Sequence, residues 1–209
     1  MRLLVIAPHP DDETIAAWAL MRRVRRAGGQ VEVIVVSDGG ASHPHSARWP
    51  VPRLVRERRR ETRRALATLA IRPARIRFLD LPDGALAAQA RPLHARLARA
   101  VCRARPQVIV APLADDAHHD HRAVAAALAR VRRRGERRLG YRVWPEGAGD
   151  RLHGLVTRLD GAALRLKRRV VRSYRTQAGA ITDAEAGFAM THRHLRAFVR
   201  PTERLAVIR

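Results

Sequence analysis

The sequence predicts a single three-layer, Rossmann-like α/β domain with a mostly parallel sheet. Apolar runs of strand length recur along the chain, and stretches with helical periodicity separate them. This alternation is typical of a parallel sheet with helices on both faces. A chain of 209 residues is long enough for one such domain with a substantial core. We find no internal boundary and therefore expect one domain over residues 1–209, in which 178–209 form a lid or an oligomer contact.

The predicted strands are short, continuous apolar runs, as expected for strands that are buried on both faces. They cover residues 2–7, 31–36, 75–81 and 107–112, with 139–144 as a fifth candidate. Glycine, aspartate and proline follow the second and third runs, at 38–40 and 82–84, which indicates turns.

The predicted helices have apolar residues at helical spacing. They cover residues 15–27, 54–70, 86–101, 123–131 and 162–177. Gly28 and Gly29 end the first of them. Cys102 follows the apolar positions of the third, and we expect it to be a small core residue.

The net charge of +23 is extreme, and Lys167 is the only lysine among 42 basic residues. Such a surface attracts phosphates, nucleic acid or anionic membranes. Aromatic residues make up only 4% of the chain and do not alternate with the arginines, which argues against a platform for stacking single-stranded bases. We interpret the charge as compositional, carried by solvated helix faces, and expect no specific nucleic-acid partner.

A single cysteine excludes an intrachain disulfide and a cysteine-based zinc site. No apolar stretch is long enough to span a bilayer. The chain enters a strand pattern at once, so we expect no signal peptide and a cytoplasmic protein. The oligomeric state is not predicted.

Two polar clusters directly follow predicted buried strands. One is His9-Pro10-Asp11-Asp12-Glu13, after the first strand, and the other is "ADDAHHDH", residues 114–121, after the fourth. In open parallel sheets, ligands bind beyond the carboxyl ends of the strands, where such loops converge. Adjacent aspartates repel each other unless a cation lies between them. The two clusters therefore predict two halves of one metal site.

The residue types suit a catalytic zinc, which needs three protein ligands and one open position for water. His9 and Asp12 can both face inward from a loop that enters a helix, and one histidine of the second cluster can supply the third ligand. Asp11 then lies beside the metal, where a carboxylate can accept a proton from a metal-bound water.

These motifs resemble those of the PIG-L, or LmbE-like, zinc-dependent N-deacetylases, which carry A-H-P-D-D-E near the N-terminus and H-P-D-H after a later strand. Weaker similarities include Arg58 and Glu61, which match the family's R-x-x-E helix, and "FLDLPDG" at 78–84. Residues 141–144 and 176–177 also resemble family segments, so the similarity covers most of residues 1–177.

The resemblance implies that zinc is the cofactor, that His9, Asp12 and His121 are its ligands, and that Asp11 is the general base. His119 stands where the family usually has proline. Because it neighbours the ligand set, His119 is the alternative to His121 as the third ligand.

The resemblance also implies roles around the metal. His118 would stabilise the oxyanion or protonate the leaving amine, and Asp120 would orient a histidine. Arg58 and Asp83 would approach the sugar. The expected substrate is an N-acetylated amino sugar of the N-acetylglucosamine type, or a sugar conjugate, and an acidic or phosphorylated one would suit the charge.

Structural interpretations compete with some of these assignments. Asp11 and Asp12 could cap the following helix, but this leaves His9 unexplained. Without the family match, Arg58 and Glu61 fit one turn of an exposed ion-pair face.

Four other polar residues are interpreted as structural. Asp115 and Asp116 are expected to be turn residues, although either could face the pocket. His43 and His45 are expected to be solvated histidines in a loop over 41–53.

Two other function classes remain open. His9-x-Asp11 with a distant histidine is also the 2-His-1-carboxylate set of iron(II) oxygenases, although these usually have jelly-roll sheets. A basic protein that binds nucleic acid or an anionic surface would explain the arginines but would leave both clusters without a role.

Overall fold

The structure, a computed structural model, describes residues 1–131 and 135–208. Its strands are β1 (Arg2–Ala7), β2 (Gln30–Ser37), β3 (Ile76–Leu81), β4 (Val108–Pro112), β5 (Arg137–Tyr141), β6 (Gly154–Arg158) and β7 (Thr202–Ile208). Its α-helices are α1 (Asp12–Arg26), α2 (Val51–Ala67), α3 (Ala90–Ala104), α4 (His119–Ala129), α5 (Gly161–Arg172) and α6 (His192–Phe198).

All seven strands form one sheet in the order β3-β2-β1-β4-β5-β7-β6. The first five in this order pair in parallel, and β7 is antiparallel to both β5 and β6. The predicted α/β class with a mostly parallel sheet is confirmed. The strand order reverses between β1 and β4, and this switch point is where open α/β sheets bind ligands. Both polar clusters follow these two strands.

Alternate residues of the central strands enter two separate cores, one on each face of the sheet. In β1, Leu3 and Val5 pack with α1, α2 and α5, whereas Leu4 and Ile6 pack with α3 and α4. Because both faces are covered by helices, the strand is apolar at every position after the first. This packing accounts for the continuous apolar run in the sequence.

The C-terminal part of the fold differs from the prediction. The last predicted helix, 162–177, ends at Arg172, and β6, α6 and β7 were not predicted. The apolar runs of these strands are short, Leu155-Val156 in β6 and Leu205-Ala206-Val207-Ile208 in β7, and runs of this length do not distinguish a strand from a helix. Cys102, expected in the core, is exposed.

The chain's only lysine ties β7 to the helices. Lys167 on α5 is buried, and its Nζ donates to Glu203 Oε1 on β7 at 2.6 Å and to the backbone carbonyl of Ile15 on α1 at 2.8 Å. Glu203 also accepts the N–H of Ala19 at 2.8 Å. The last strand is thus an integral part of the sheet, whereas the segment before it reaches the pocket described below.

Within residues 1–131 and 135–208, none of the helices combines the length and the apolar character that crossing a bilayer requires.

Candidate metal centre

The loop after β1 enters α1 through a strained residue. Asp11 is at the N-cap position, but its side chain makes no capping hydrogen bond, and its backbone has φ 124°. L-residues rarely adopt such a conformation, which costs roughly 1–3 kcal/mol and is concentrated at functional sites. The interpretation of Asp11 as a helix cap is therefore wrong, and its carboxylate faces the pocket.

Asp12 lies between the two histidines that the family resemblance pairs with it. Its Oδ2 is 3.2 Å from His9 Nδ1 and 3.2 Å from His121 Nε2. Donor atoms around a tetrahedral zinc with bonds of about 2.1 Å lie about 3.4 Å apart. Asp12 and His121 are buried, and the side chain of His9 is 12% exposed. Asp12 Oδ2 is therefore close enough to each of the two histidine nitrogens to share an ion with it.

The opposite nitrogen of each histidine faces another carboxylate. His9 Nε2 lies 3.2 Å from Asp83 Oδ1 and 3.2 Å from Asp120 Oδ2. His121 Nδ1 lies 3.2 Å from Asp116 Oδ2. A carboxylate behind a ligating histidine fixes the tautomer and ring orientation and increases the basicity of the ligand. The residues present therefore fit a divalent metal in their outer contacts as well as in their donor atoms.

His121 provides a second test of this fit. Both ring nitrogens are buried, and neither makes a hydrogen bond of acceptable angle to any residue in the described part of the chain, despite the two carboxylates at 3.2 Å. A buried nitrogen without a directed partner is costly. An ion bound at Nε2 would remove that cost.

The charges at the centre favour a cation. Burial alone would raise the pKa of Asp12, but the charge of His121 at 3.2 Å, followed by the hydrogen bond and charge of His9, lowers it far below its ordinary value. Burial would likewise lower the pKa of His121, but Asp12 and Asp116 raise it to about 9. The pKa of His9 is also raised, because carboxylate hydrogen bonds outweigh burial. These pKa shifts apply to the side chains without a bound ion. A bound cation would displace the protons held by His9 and His121.

Arg58 supports the loop that carries Asp11. Its guanidinium donates to the carbonyl oxygens of Gly39 at 3.0 Å and Pro10 at 2.8 Å, and lies 3.6 Å from Asp11 Oδ2. Burial raises the pKa of Asp11, and the charge of Arg58 opposes that shift. Arg58 and Glu61 are both buried, so their interpretation as an exposed ion-pair face is wrong.

The remaining two histidines of the second cluster differ in environment. His118 caps α4: its Nδ1 accepts the N–H of Asp120 at 3.2 Å, so the ring proton is on Nε2. Burial, followed by the charges of His9 and His121, lowers the pKa of His118 to about 4. The side chain of His119 is 54% exposed, and its Nε2 is 3.0 Å from the carbonyl oxygen of Gly84.

Other groupings of ligand atoms are also close together. In the described residues, three groups have ligand atoms within 4.8 Å of one another: His9, His118 and His121; His118, His119 and Asp120; and His9, Asp83 and Asp120. His119 is exposed and its Nε2 lies 3.0 Å from the Gly84 carbonyl oxygen, whereas His121 is buried.

A cavity of about 460 Å³ opens in front of the centre. Its polar lining includes Arg58 and Asp83, the two residues expected near the sugar. Its apolar wall is formed by Ile15, Val143, Trp144, Phe188, Met190 and Phe198. Three of these wall residues come from 178–209. Trp144 packs edge-to-face against Phe188 and Phe198, with ring centroids 5.9 and 5.7 Å apart.

Sequence reasoning missed two features of the site. Asp116, expected to be a turn residue, is buried behind His121 and also accepts the N–H of Val143 at 2.8 Å. His43, expected to be solvated, is buried, and its Nδ1 lies 3.0 Å from Ser42 Oγ on the cavity wall. Nothing in the local sequence distinguishes Asp116 from Asp115, which is exposed and pairs with Arg142.

Comparisons with known proteins identify the family of this chain. The family model described as "PIG-L: GlcNAc-PI de-N-acetylase" matches residues 4–131. A comparison with curated proteins gave no significant match.

Several solved structures share the fold. The N,N'-diacetylchitobiose deacetylase from Pyrococcus horikoshii superposes with a TM-score of 0.75 and 18% identity, over 99% of this chain and 83% of that one. The zinc-inhibited form of the teicoplanin deacetylase Orf2 has a TM-score of 0.71 and 18% identity, over 89% and 88%. A 4-carboxy-2-hydroxymuconate hydratase from Pseudomonas putida KT2440 has a TM-score of 0.65 and 15% identity, over 100% and 96%. At these identities the likeness extends to the fold alone.

Proposed function

Since this chain belongs to the PIG-L family, we propose that it is a zinc-dependent hydrolase that removes the N-acetyl group from an amino sugar of the N-acetylglucosamine type or from a sugar conjugate. A cytoplasmic location is part of this proposal. The observation that carries it is the position of Asp12 Oδ2, 3.2 Å from a ring nitrogen of both His9 and His121.

The metal would be held by His9 Nδ1, Asp12 Oδ2 and His121 Nε2. Two nitrogens and one oxygen are a usual ligand set for catalytic zinc, with a position left open for the reaction. When bound, the ion would polarise the amide carbonyl and lower the pKa of a water molecule.

Asp11 is the proposed general base. It is buried next to Asp12 but points into the cavity, and it is not one of the groups between the two histidines. Arg58, 3.6 Å away, favours the ionised carboxylate, and a nearby dication would do so further. An ionised Asp11 can take the proton of the attacking water and pass it to the leaving amine.

His118 is the proposed oxyanion donor. Because its Nδ1 accepts the N–H of Asp120, its Nε2 carries the proton, and its lowered pKa keeps the ring neutral. A neutral, preoriented N–H can stabilise the charge that develops on the carbonyl oxygen of the tetrahedral species. Of the two roles open to His118, this protonation state favours the oxyanion role over protonation of the leaving amine.

The proposed substrate has both a polar edge and an apolar face. Arg58 and Asp83 offer a cation and a carboxylate in the polar lining of the cavity, suited to sugar hydroxyl groups. Trp144 and Phe188 offer aromatic surface in the same cavity, against which the C–H face of a sugar ring can pack. An acidic group on the substrate would be attracted by the overall charge.

The competing functions fit the site less well. An oxygenase with the His9-x-Asp11 set would need Asp11 as a ligand, whereas Asp12 lies between the histidines. A surface binder driven by the +23 charge gives the buried carboxylates and histidines no role. The hydratase among the structural neighbours makes hydration of a double bond the reaction to test alongside hydrolysis.

The deciding experiment measures metal content and acetate release from a panel of N-acetylated sugars and glycosides. We expect about one zinc per chain and acetate release whose rate Asp11→Asn lowers by roughly 10²–10⁴-fold. Asp115→Asn is the matched control, because Asp115 is exposed and pairs only with Arg142 among the contacts described for its side chain. A metal-loaded protein that releases no acetate from any N-acetylated sugar but hydrates an unsaturated acid would overturn the proposal.

A further inference from the structure

We propose that Tyr174 and Glu13 are positioning residues that hold the backbone of Asp11 in its strained conformation and thereby aim the general base. The inference rests on the function proposed above, since it assigns a cause to the orientation of Asp11. Neither residue lines the cavity, and both are fully buried, so neither can contact the substrate.

The backbone of Asp11 is held on both sides. Its N–H donates to Glu13 Oε2 at 3.1 Å, and its carbonyl oxygen accepts the N–H groups of Thr14 and Ile15, each at 2.9 Å. A backbone with φ at 124° persists only where its surroundings hold it. Loss of the hydrogen bonds at either the N–H or the carbonyl oxygen should therefore let Asp11 relax to an ordinary conformation. Of these three hydrogen bonds, only the one accepted by Glu13 Oε2 involves a side chain.

Glu13 is in turn fixed by a residue from the far end of the chain. Its Oε1 accepts a short hydrogen bond from the Tyr174 hydroxyl, and Thr14 Oγ1 donates to the same oxygen at 3.2 Å. Thr14 Oγ1 and the Tyr174 hydroxyl are also 2.9 Å apart. Tyr174 follows the last turn of α5 and lies outside the part of the chain that the family model matches.

The same turn supports the other side of Asp11. Thr176 donates its N–H and its hydroxyl to the two carboxylate oxygens of Glu61, at 2.9 and 2.5 Å. Glu61 lies one helical turn after Arg58 on α2, and Arg58 contacts both the Pro10 carbonyl and the Asp11 carboxylate. The turn at 174–176 therefore fixes the main chain of Asp11 through Glu13 and supports its side-chain partner through α2.

Tyr174→Phe tests this inference, because it removes one hydroxyl and keeps the ring in the core. We expect kcat for acetate release to fall roughly 10–100-fold, the effect of a small misplacement of a reacting group. KM and metal content should be unchanged. Thr14→Val, which removes the other hydroxyl from the network, should give a smaller effect in the same direction. Ser173→Ala is the control: it removes a hydroxyl that donates to the Val170 carbonyl in the same turn and should leave kcat unchanged.

A double-mutant cycle separates positioning from a general loss of structure. If Tyr174 acts through Asp11, then Tyr174→Phe should have no further effect on kcat in the Asp11→Asn background. An equal loss in both backgrounds, no loss of kcat at all, or a change confined to KM or metal content would overturn the inference. The proposed function fails separately, if wild-type protein releases no acetate or if Asp11→Asn is fully active.

Discussion

The carboxylate of Asp116, in the connection between β4 and α4, lies 3.2 Å from Nδ1 of His121 in the first turn of α4, and both side chains are buried. Asp116 also accepts the N–H groups of His118, Val143 and Trp144, at 2.9, 2.8 and 3.2 Å. It therefore links the proposed metal ligand to the oxyanion donor and to the apolar wall of the cavity.

Asp116→Asn should weaken zinc binding by roughly 10–100-fold, the usual cost of losing a carboxylate behind a ligating histidine. The amide is nearly isosteric, but it removes the negative charge that makes His121 a better donor. Competition with a chromogenic chelator measures the affinity. Asp115→Asn is the neighbouring control and should bind zinc as the wild type does. Equal affinities in the two variants would mean that Asp116 only supports the backbone.

His9→Ala and Asp12→Ala should each lose most of the bound metal, because either change leaves two ligands where three are needed. The measurement is elemental analysis after dialysis against a weak chelator. His119→Ala should keep the metal, because its side chain is exposed and its Nε2 lies against the Gly84 carbonyl. Full occupancy after replacement of both His9 and Asp12 would contradict the assignment.

Asp11→Asn should retain the metal and lose roughly 10²–10⁴-fold in kcat, the contribution expected of a general base. Its stability should change little or rise, because a buried carboxylate beside Asp12 and Glu13 is neutralised. Turnover assays and metal analysis on the same preparation check this. If Asp11→Asn empties the site and Asp12→Asn does not, the roles are reversed and the His9-x-Asp11 ligand set is correct.

The metal-free protein should lose stability as the pH rises from about 6.5 to about 9. The pKa of His121 is raised from 6.5 to about 9 in the fold. In that interval the folded state holds a proton that the unfolded state has released, so the stabilisation present at low pH, up to roughly 3 kcal/mol, is lost. Thermal unfolding with and without a chelator measures it.

The zinc-loaded protein is the control for this pH dependence. Because an ion at Nε2 takes the place of the proton, its unfolding temperature should be nearly independent of pH across the same interval. A parallel decline in both forms would assign the effect to other groups.

Phe188→Ala should raise KM for N-acetylated sugars roughly 10-fold or more and leave kcat nearly unchanged. The substitution removes aromatic surface from the apolar wall of the cavity, and full burial of such a side chain is worth about 1.5–3 kcal/mol. Steady-state kinetics test this. Val207, an exposed apolar residue on β7, offers a control in Val207→Ala, which should change neither constant. A loss confined to kcat would place Phe188 in support of the catalytic groups instead.

The sequence by itself predicted the parallel part of the sheet and a candidate metal site. Continuous apolar runs mark strands that are buried on both faces, since each face needs its own core. The density of histidine and aspartate after two such runs indicated the candidate site, because few other environments accommodate adjacent carboxylates in a strand-end loop. The short segments that became β6, α6 and β7 carried too little periodicity to be recognised.

Only the tertiary structure decided which members of each cluster meet. It brings Asp83 and Asp120 to the same nitrogen of His9, buries Asp116 but exposes Asp115, and turns His119 outward. These outcomes depend on strand order and on the rotation of loops beyond the strand ends, which residues distant in the chain fix. The turn at Tyr174, which reaches the Asp11 backbone through Glu13, is the clearest case, because no local pattern connects positions so far apart.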